Sequence, residues 1–431
     1  MTLCPQTSLV HTRIIRWEVG ALAELLVIAD DLTGALDAGV RLTHKGARVA
    51  VTCDWRQVGP VADMDVLVVD TESRHIPAAE AYGRVRDVAS RAPLVGARRV
   101  YKKCDSGLRG NVGAELAAVL DASAARRLNF VPAYPALGRT TRDGIHLVDG
   151  VPLAKSVFAS DPIDAMTRSS VADIIHEESD VRVTGSRDAT QDTTGVVVYD
   201  CASEDELTRI GAELAASGGL VLAAGCAGLL GTYEPQGRAG ADGRAKSLPR
   251  LGSRLVVVLG SVNGVCRAQL DRAEAAGAAR AHLPLVPVLA RAWGDNELRG
   301  FVAQVQAGSA DADVMVVDSL GPCNRAAFER VEDASSLIAQ ALGRVACELA
   351  SLPGRTLMII GGDTLMGFFG SRRVVSIEPV GEIEPGVVLA RYQADGLWHP
   401  IITKSGAFGA PDLLHRIQEF LEKDEKELTW H

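Results

Sequence analysis

The chain has 431 residues, of which 47% are hydrophobic and 23% charged, a globular composition at a length for which two domains of about 200 residues each are expected. A formal net charge of −9 argues against the concentrated basic face that a nucleic-acid partner demands. No run of 18 apolar residues occurs, so no membrane partner is expected, and eight cysteines without a CxxC pair read as reduced thiols of a cytoplasmic protein.

Residues 1–24 interrupt their few apolar stretches with Arg13, Arg16 and Glu18 and read as an N-terminal extension. From there, short β-branched runs at 25–29, 47–52, 65–70, 98–103, 129–133, 194–200 and 219–225 alternate with amphipathic stretches, the pattern of a parallel sheet. The segment 232–252 is rich in Gly, Pro, Arg and Ser without apolar period and reads as a linker between a first domain at 25–231 and a second at 253–431. In the second, apolar runs at 254–260, 313–319, 355–362 and 399–406 restart the alternation. The fold class is therefore two α/β domains with mainly parallel sheets, and the active site is expected in the cleft between them.

Three segments of the first domain carry candidate chemistry. In IADDLTGALDAG (28–39) a buried strand ends in Asp30 and Asp31 before a helix. One acid suffices as a cap, so the second is free to orient a substrate or accept a hydroxyl proton, and Asp31 is the expected general base, with Asp30 and Asp105 as chemically able rivals. VYKKCDSGLRGNVGAEL (100–116) crowds Lys103, Asp105, Ser106 and Arg109 onto a strand-to-helix turn, a grouping that suits an anion. Arg74 follows the strand at 65–70. A long polar loop is expected over 130–153, with Arg139 a candidate for the acceptor pocket and His146 a packed histidine.

In the second domain GSVNG (260–264), GGDTLMG (361–367) and KSGAFG (404–409) each follow an apolar strand. Glycines there let backbone approach a phosphate, so Ser261, Gly361, Gly362, Asp363, Thr364 and Gly406 are candidate nucleotide contacts. Lys404 would meet the charge of a transferring phosphoryl group, and Asp363 or Thr364 would contact Mg²⁺ or ribose. No metal-ligand set is legible. There is no GxxxxGK[ST] and no pair of glycines two positions apart, which removes the P-loop and the dinucleotide fingerprint.

IADDLTGA (28–35), TESR (71–74), KKCDSGLRGN (102–111), PAYPALGRTTRDGIHLVDGVPL (132–153), DP (161–162), GGDT (361–364) and KSGAFG (404–409) together resemble the four-carbon acid sugar kinase family. The resemblance implies an acid-sugar-binding domain followed by a nucleotide-binding domain, with ATP and Mg²⁺ as cofactors and a small sugar acid as partner. It implies substrate contacts at Asp31 and Lys103 to Ser106, ATP contacts at Ser261, Gly361 to Thr364 and Gly406, and D-threonate as substrate, with D-erythronate or a 3-oxo-tetronate as alternatives. Gly107 stands where the family commonly has a hydroxyl residue, so substrate choice is expected to be affected there. A non-catalytic sugar-acid sensor is the alternative of a different class, and homo-oligomerisation stays open.

Overall fold

The computed structural model describes residues 23–59, 64–161, 164–235, 250–321, 331, 333–374 and 376–424. The extension to residue 22 and residues 236–249 of the expected linker lie outside the described residues.

Short apolar runs form the parallel strands, and those at the centre of the sheet, such as Leu25–Ala29 and Val66–Asp70, are buried throughout. The first half contributes β1 (Leu25–Ala29), β2 (Val49–Thr52), β3 (Val66–Asp70), β4 (Arg99–Lys103), β5 (Arg127–Val131), β9 (Val183–Gly185), β10 (Gly195–Val198) and β11 (Leu222–Gly225). The second contributes β12 (Arg254–Leu259), β13 (Ala279–His282), β14 (Val314–Asp318) and β15 (Arg355–Ile360), then an antiparallel meander of β16 (Ser376–Glu384), β17 (Val387–Ala394) and β18 (Leu397–Lys404).

Both halves lie in one 15-stranded sheet of order β13-β14-β12-β15-β18-β17-β16-β2-β3-β1-β4-β11-β5-β10-β9. The join is antiparallel and short, with Ile377 of β16 opposite Val51 of β2. Helix α1 (Leu32–His44) reinforces it: Gly39 lies against Pro379, Arg41 pairs with Glu382 at 2.7 Å, and an apolar cluster runs from Val27 through Val258 to Tyr392. In each half one strand stands where the strand order reverses, β1 between β3 and β4 and β12 between β14 and β15. Ligands gather at the carboxyl ends of such strands.

The expected loop over 130–153 is instead a small antiparallel sheet of β6 (Arg139–Arg142), β7 (Ile145–Val148) and β8 (Val151–Pro152). Two Asp-Gly pairs produce it, with φ of 50° and 74° at Asp143 and Gly144 and of 50° and 78° at Asp149 and Gly150. Positive φ at both central residues matches the right-handed twist of paired strands. A third such pair, Asp395 and Gly396, closes the β17–β18 turn that sequence periodicity also passes over.

Helices α2 (Ala78–Ser90), α3 (Val112–Ala122), α4 (Glu204–Ser217), α5 (Gly264–Ala275), α6 (Ala334–Leu349), α7 (Gly362–Arg372) and α8 (Leu413–Asp424) pack on the two faces. Helix α7 is seated through glycine: a Cβ on Gly343 of α6 would lie 2.2 Å from the carbonyl carbon of Gly367, and one on Gly367 2.4 Å from Ala339 O. Gly367→Val should therefore force the helices apart, lowering stability by about 1–3 kcal/mol. Thermal denaturation checks this, and a melting temperature equal to wild type would show that the helix pair yields freely.

Candidate active site

Strand β1 delivers Asp30 and Asp31 to its carboxyl end, and β4, in register with it at Ala29 and Lys103, delivers Lys103 to the same level. Successive residues of a strand point to opposite faces, which divides the two lysines. Lys102 is buried in an ion pair with Glu115 of α3 at 2.9 Å, and Glu115 also accepts from Ser73. Lys103 faces the cavity instead, its Nζ donating to Cys104 O at 2.8 Å. Burial opposes its charge, but Asp30, Asp37 and Asp31 outweigh that and raise the Lys103 pKa.

Arg74 ties the acids together. Its Nε donates to Asp30 Oδ2 at 2.7 Å, its Nη1 and Nη2 grip Asp31 at 2.9 and 2.7 Å, and Asp105 stands 3.8 Å away. Asp31 also caps α1, accepting from Gly34 N at 2.9 Å and from Thr33 Oγ1 at 2.6 Å. Its two oxygens thus accept four hydrogen bonds, which disfavours the expected use of Asp31 as general base. Burial would raise the Asp30 pKa, but Arg74, Lys102 and Lys103 lower it. Asp105 is held well below the usual carboxylate range by Arg109 and Arg74 against the opposing effect of burial.

Arg109 is committed to Asp105 through Nε at 2.8 Å and to Asp161 through Nη1 at 2.9 Å, and it does not line the cavity. The sequence expectation is a grip of Arg109 on a ligand carboxylate; its guanidinium is turned to Asp105 and Asp161, and Arg74, itself paired with Asp30 and Asp31, is the arginine that lines the cavity. Arg139 likewise stands behind the wall, 5.9 Å from the ring centre of Phe408. His146 is the packed histidine expected: Nδ1 faces Thr141 Oγ1 at 3.2 Å and Nε2 faces Ser106 O at 3.0 Å, and burial pushes its pKa down to about 4. The neutral ring must donate from Nε2, since Ser106 O can only accept.

In the second half, β12, β15 and β18 end level with one another, with Leu259 opposite Ile360 and Ile360 opposite Lys404. Their turns converge. A Cβ on Gly406 would lie 2.0 Å from Ser261 Oγ and one on Gly260 2.1 Å from Thr364 Oγ1, while Gly361 has φ of 112°. Gly362 and Asp363 open α7, the latter exposed, and offer free backbone N–H groups. Lys404 is buried beside Cys266, 3.7 Å away, and burial lowers its pKa against the opposing effect of Cys266.

The two groups meet. A Cβ on Gly362 would stand 3.1 Å from Asp31 Oδ2, and one cavity is lined by Asp31, Arg74, Lys103, Asp105 and Ser106 from the first half and by Thr403, Lys404 and Phe408 from the second. Asp37 also lines it, and sequence reading passed it over. Its signal was present, because an acid three residues after Gly34 and four after Thr33 shares their helix face.

A model of a sugar-binding N-terminal domain matches residues 25–233, and a model of a nucleotide-binding C-terminal domain matches 256–414. A D-threonate kinase of Salmonella typhimurium is 31% identical, the alignment covering 92% of this chain and 99% of the relative. The chain belongs to the four-carbon acid sugar kinase family. Other relatives of this family member include a D-erythronate kinase of Heliobacterium modesticaldum, 28% identical over 91% of this chain and 95% of the relative. A 3-oxo-tetronate kinase of Cupriavidus necator is 30% identical over 89% and 94%. A solved structure from Salmonella typhimurium LT2 superposes with a TM-score of 0.72 at 24% identity, covering 92% of this chain and 99% of that one, which shows the shared fold.

The glycine at 107 has a local reason. A Cβ on Gly107 would lie 2.8 Å from the ring of buried Phe158, which also carries Arg109 at 5.1 Å from its centre. Gly107→Thr should therefore destabilise the fold by about 1–3 kcal/mol, as overpacking does. Paired replacement with Phe158→Ala should recover part of that loss in denaturant titrations, and strict additivity of the two changes would refute the contact.

Proposed function

We propose that the chain is an ATP-dependent kinase of a four-carbon sugar acid, with D-threonate as substrate and its terminal hydroxyl as acceptor. The observation that carries this reading is the one cavity that Asp31, Arg74, Lys103 and Asp105 of the first half share with Thr403, Lys404 and Ser405 of the second, with Gly362 at the start of α7 standing beside Asp31. An acceptor and a phosphoryl donor need just such a meeting, because phosphoryl transfer is mostly positioning and charge stabilisation.

Lys103 meets the carboxylate of the acid, with Arg74 adding positive charge at the cavity wall and Asp105 and Ser106 shaping the pocket around it. Asp30 and Asp31 fix the Arg74 fork, and Asp31 holds the entry of α1 beside Gly362. Arg109 sets Asp105 and braces Phe158, and Arg139 backs Phe408. Ser261, Gly361, Gly362, Thr364 and Gly406 receive ATP, whose γ-phosphoryl group is what is transferred. Lys404 stands where negative charge grows during transfer.

Among the described residues no three His, Cys, Asp or Glu side chains gather as a metal cage. Mg²⁺ keeps water and phosphate oxygens and asks for one or two carboxylates; exposed Asp363 at the start of α7 is the side chain we assign to it. None of the described helices is long and apolar enough to cross a membrane. We place the reaction in the cytoplasm, where ATP is supplied.

ADP release coupled to an optical readout, run across D- and L-threonate, D- and L-erythronate and their oxo forms, tests the reading. D-threonate should give the highest kcat/KM, and silence with every acid would end the kinase assignment. Lys404→Met should lower kcat by about a hundredfold, the scale of removing one preorganised charge from a transition state. Wild-type turnover in that variant would remove Lys404 from the transfer step.

A further inference from the structure

Every hydroxyl that attacks a phosphorus must lose its proton, and the carboxylates lining the cavity differ in their ability to take it. Asp31 accepts four hydrogen bonds, two of them from the Arg74 fork. Asp105 accepts from Arg109 through Nε and Nη2 and from the backbone N–H of Gly107 at 3.0 Å. A lone pair already engaged by a guanidinium is a weak base.

Asp37 is different. It sits in the middle of α1, 6% exposed, and its Oδ1 is buried with no hydrogen-bond partner. It lines the same cavity as Lys103, Thr403 and Lys404. A buried polar atom left unpaired disfavours folding by about 1–3 kcal/mol and calls for an explanation. An unpaired oxygen on a residue that lines a site for a polyhydroxy acid is explained by a hydroxyl that comes to it. We infer that Asp37, not Asp31, is the general base of the kinase proposed above, and the inference rests on that reading.

The step balances. The acceptor hydroxyl oxygen forms the new bond to phosphorus as the bond from phosphorus to the ADP oxygen breaks, the electron pair leaving with ADP. The hydroxyl proton passes to Asp37 Oδ1 and is later lost to solvent. The surroundings tune the group for this exchange. Burial raises the carboxyl, Lys103 of β4 and Arg41 of α1 pull it down, Glu382 of β16 and Asp31 push it up, and the balance leaves it at about 6. Lys404 of β18 lines the same cavity, and Tyr134, after β5, lies beneath Arg41. A base is most useful when it titrates close to the working pH.

The sign of the linkage gives a second readout. A folded-state pKa above the unfolded value, about 3.9 for an aspartate, means that the folded chain binds this proton more tightly. The stabilising effect of the proton is present at low pH and is lost as pH rises through about 6. Neutral asparagine removes that loss, so Asp37→Asn should melt no lower than wild type at pH 8.

The test compares wild type, Asp37→Asn and Asp31→Asn at saturating ATP and tetronate between pH 5 and pH 9. Asp37→Asn should lose at least about a hundredfold in kcat, keep its Michaelis constant for ATP within about threefold, and lose the acidic limb near pH 6. Asp31→Asn should be slower than wild type through the broken Arg74 fork, yet keep that limb. Retention of the limb by Asp37→Asn, or its loss in Asp31→Asn alone, overturns the assignment while leaving the kinase reading intact. A variant Asp37→Asn that unfolds at pH 8 also overturns it, since the side chain would then be structural. Absence of ADP release from wild type with any tetronate sinks the kinase reading and the role of Asp37 together.

Discussion

Charge balance around Arg74 is the constraint on which the site depends. Two carboxylates at the end of one buried strand would repel each other and resist desolvation, and a lone buried guanidinium would be no better off. Placed together at 2.7 to 2.9 Å the three groups form a paired unit with one negative charge in excess, which Lys103, buried a strand away, answers. The arrangement positions α1, because Asp31 is also its cap, and α1 in turn carries Asp37 and packs on β16 of the other half. A local electrostatic solution thereby fixes how two halves of the chain approach.

The second half meets this unit with backbone rather than charge. Three strands ending level, with glycine one or two residues beyond each, bring Gly406 against Ser261 and Gly260 against Thr364 more closely than a larger residue at either glycine would permit. Lys404 is the cationic side chain this half adds to the cavity wall, and burial lowers its pKa. The division of labour fits a family whose two domain models are named for sugar and nucleotide.

Much of this was legible along the chain, and the failures have physical causes. The parallel strands announced themselves because strands buried on both faces must be continuously apolar, and Asp31 because a cap followed by Thr-Gly is a local signal. Asp30, Lys103 and Ser106 followed from their place after strands, although the split between Lys102 and Lys103 needed the pleat of β4. Asp37 was hidden one turn deeper, where an isolated acid in a helix looks like any solvated residue. Arg109 looked free because its partner Asp161 lies 52 residues on. The hairpins at 139–152 were missed although Asp-Gly pairs marked them, because length and polarity were weighed above turn chemistry. The union of two sheets through Ile377 and Val51 has no sequence signature at all, since edge pairing across more than 300 residues leaves no periodicity behind.

The contact between Gly107 and Phe158 bears on how such a chain can drift. The ring occupies the volume that a side chain at 107 would claim, so neither position is at liberty to vary by itself. A lineage could place a larger side chain there without strain only after shedding the aromatic, or in the same event. Homologous chains should accordingly sort into two populations, one carrying a small residue at 107 with a ring at 158 and the other the reverse, with mixed pairs scarce.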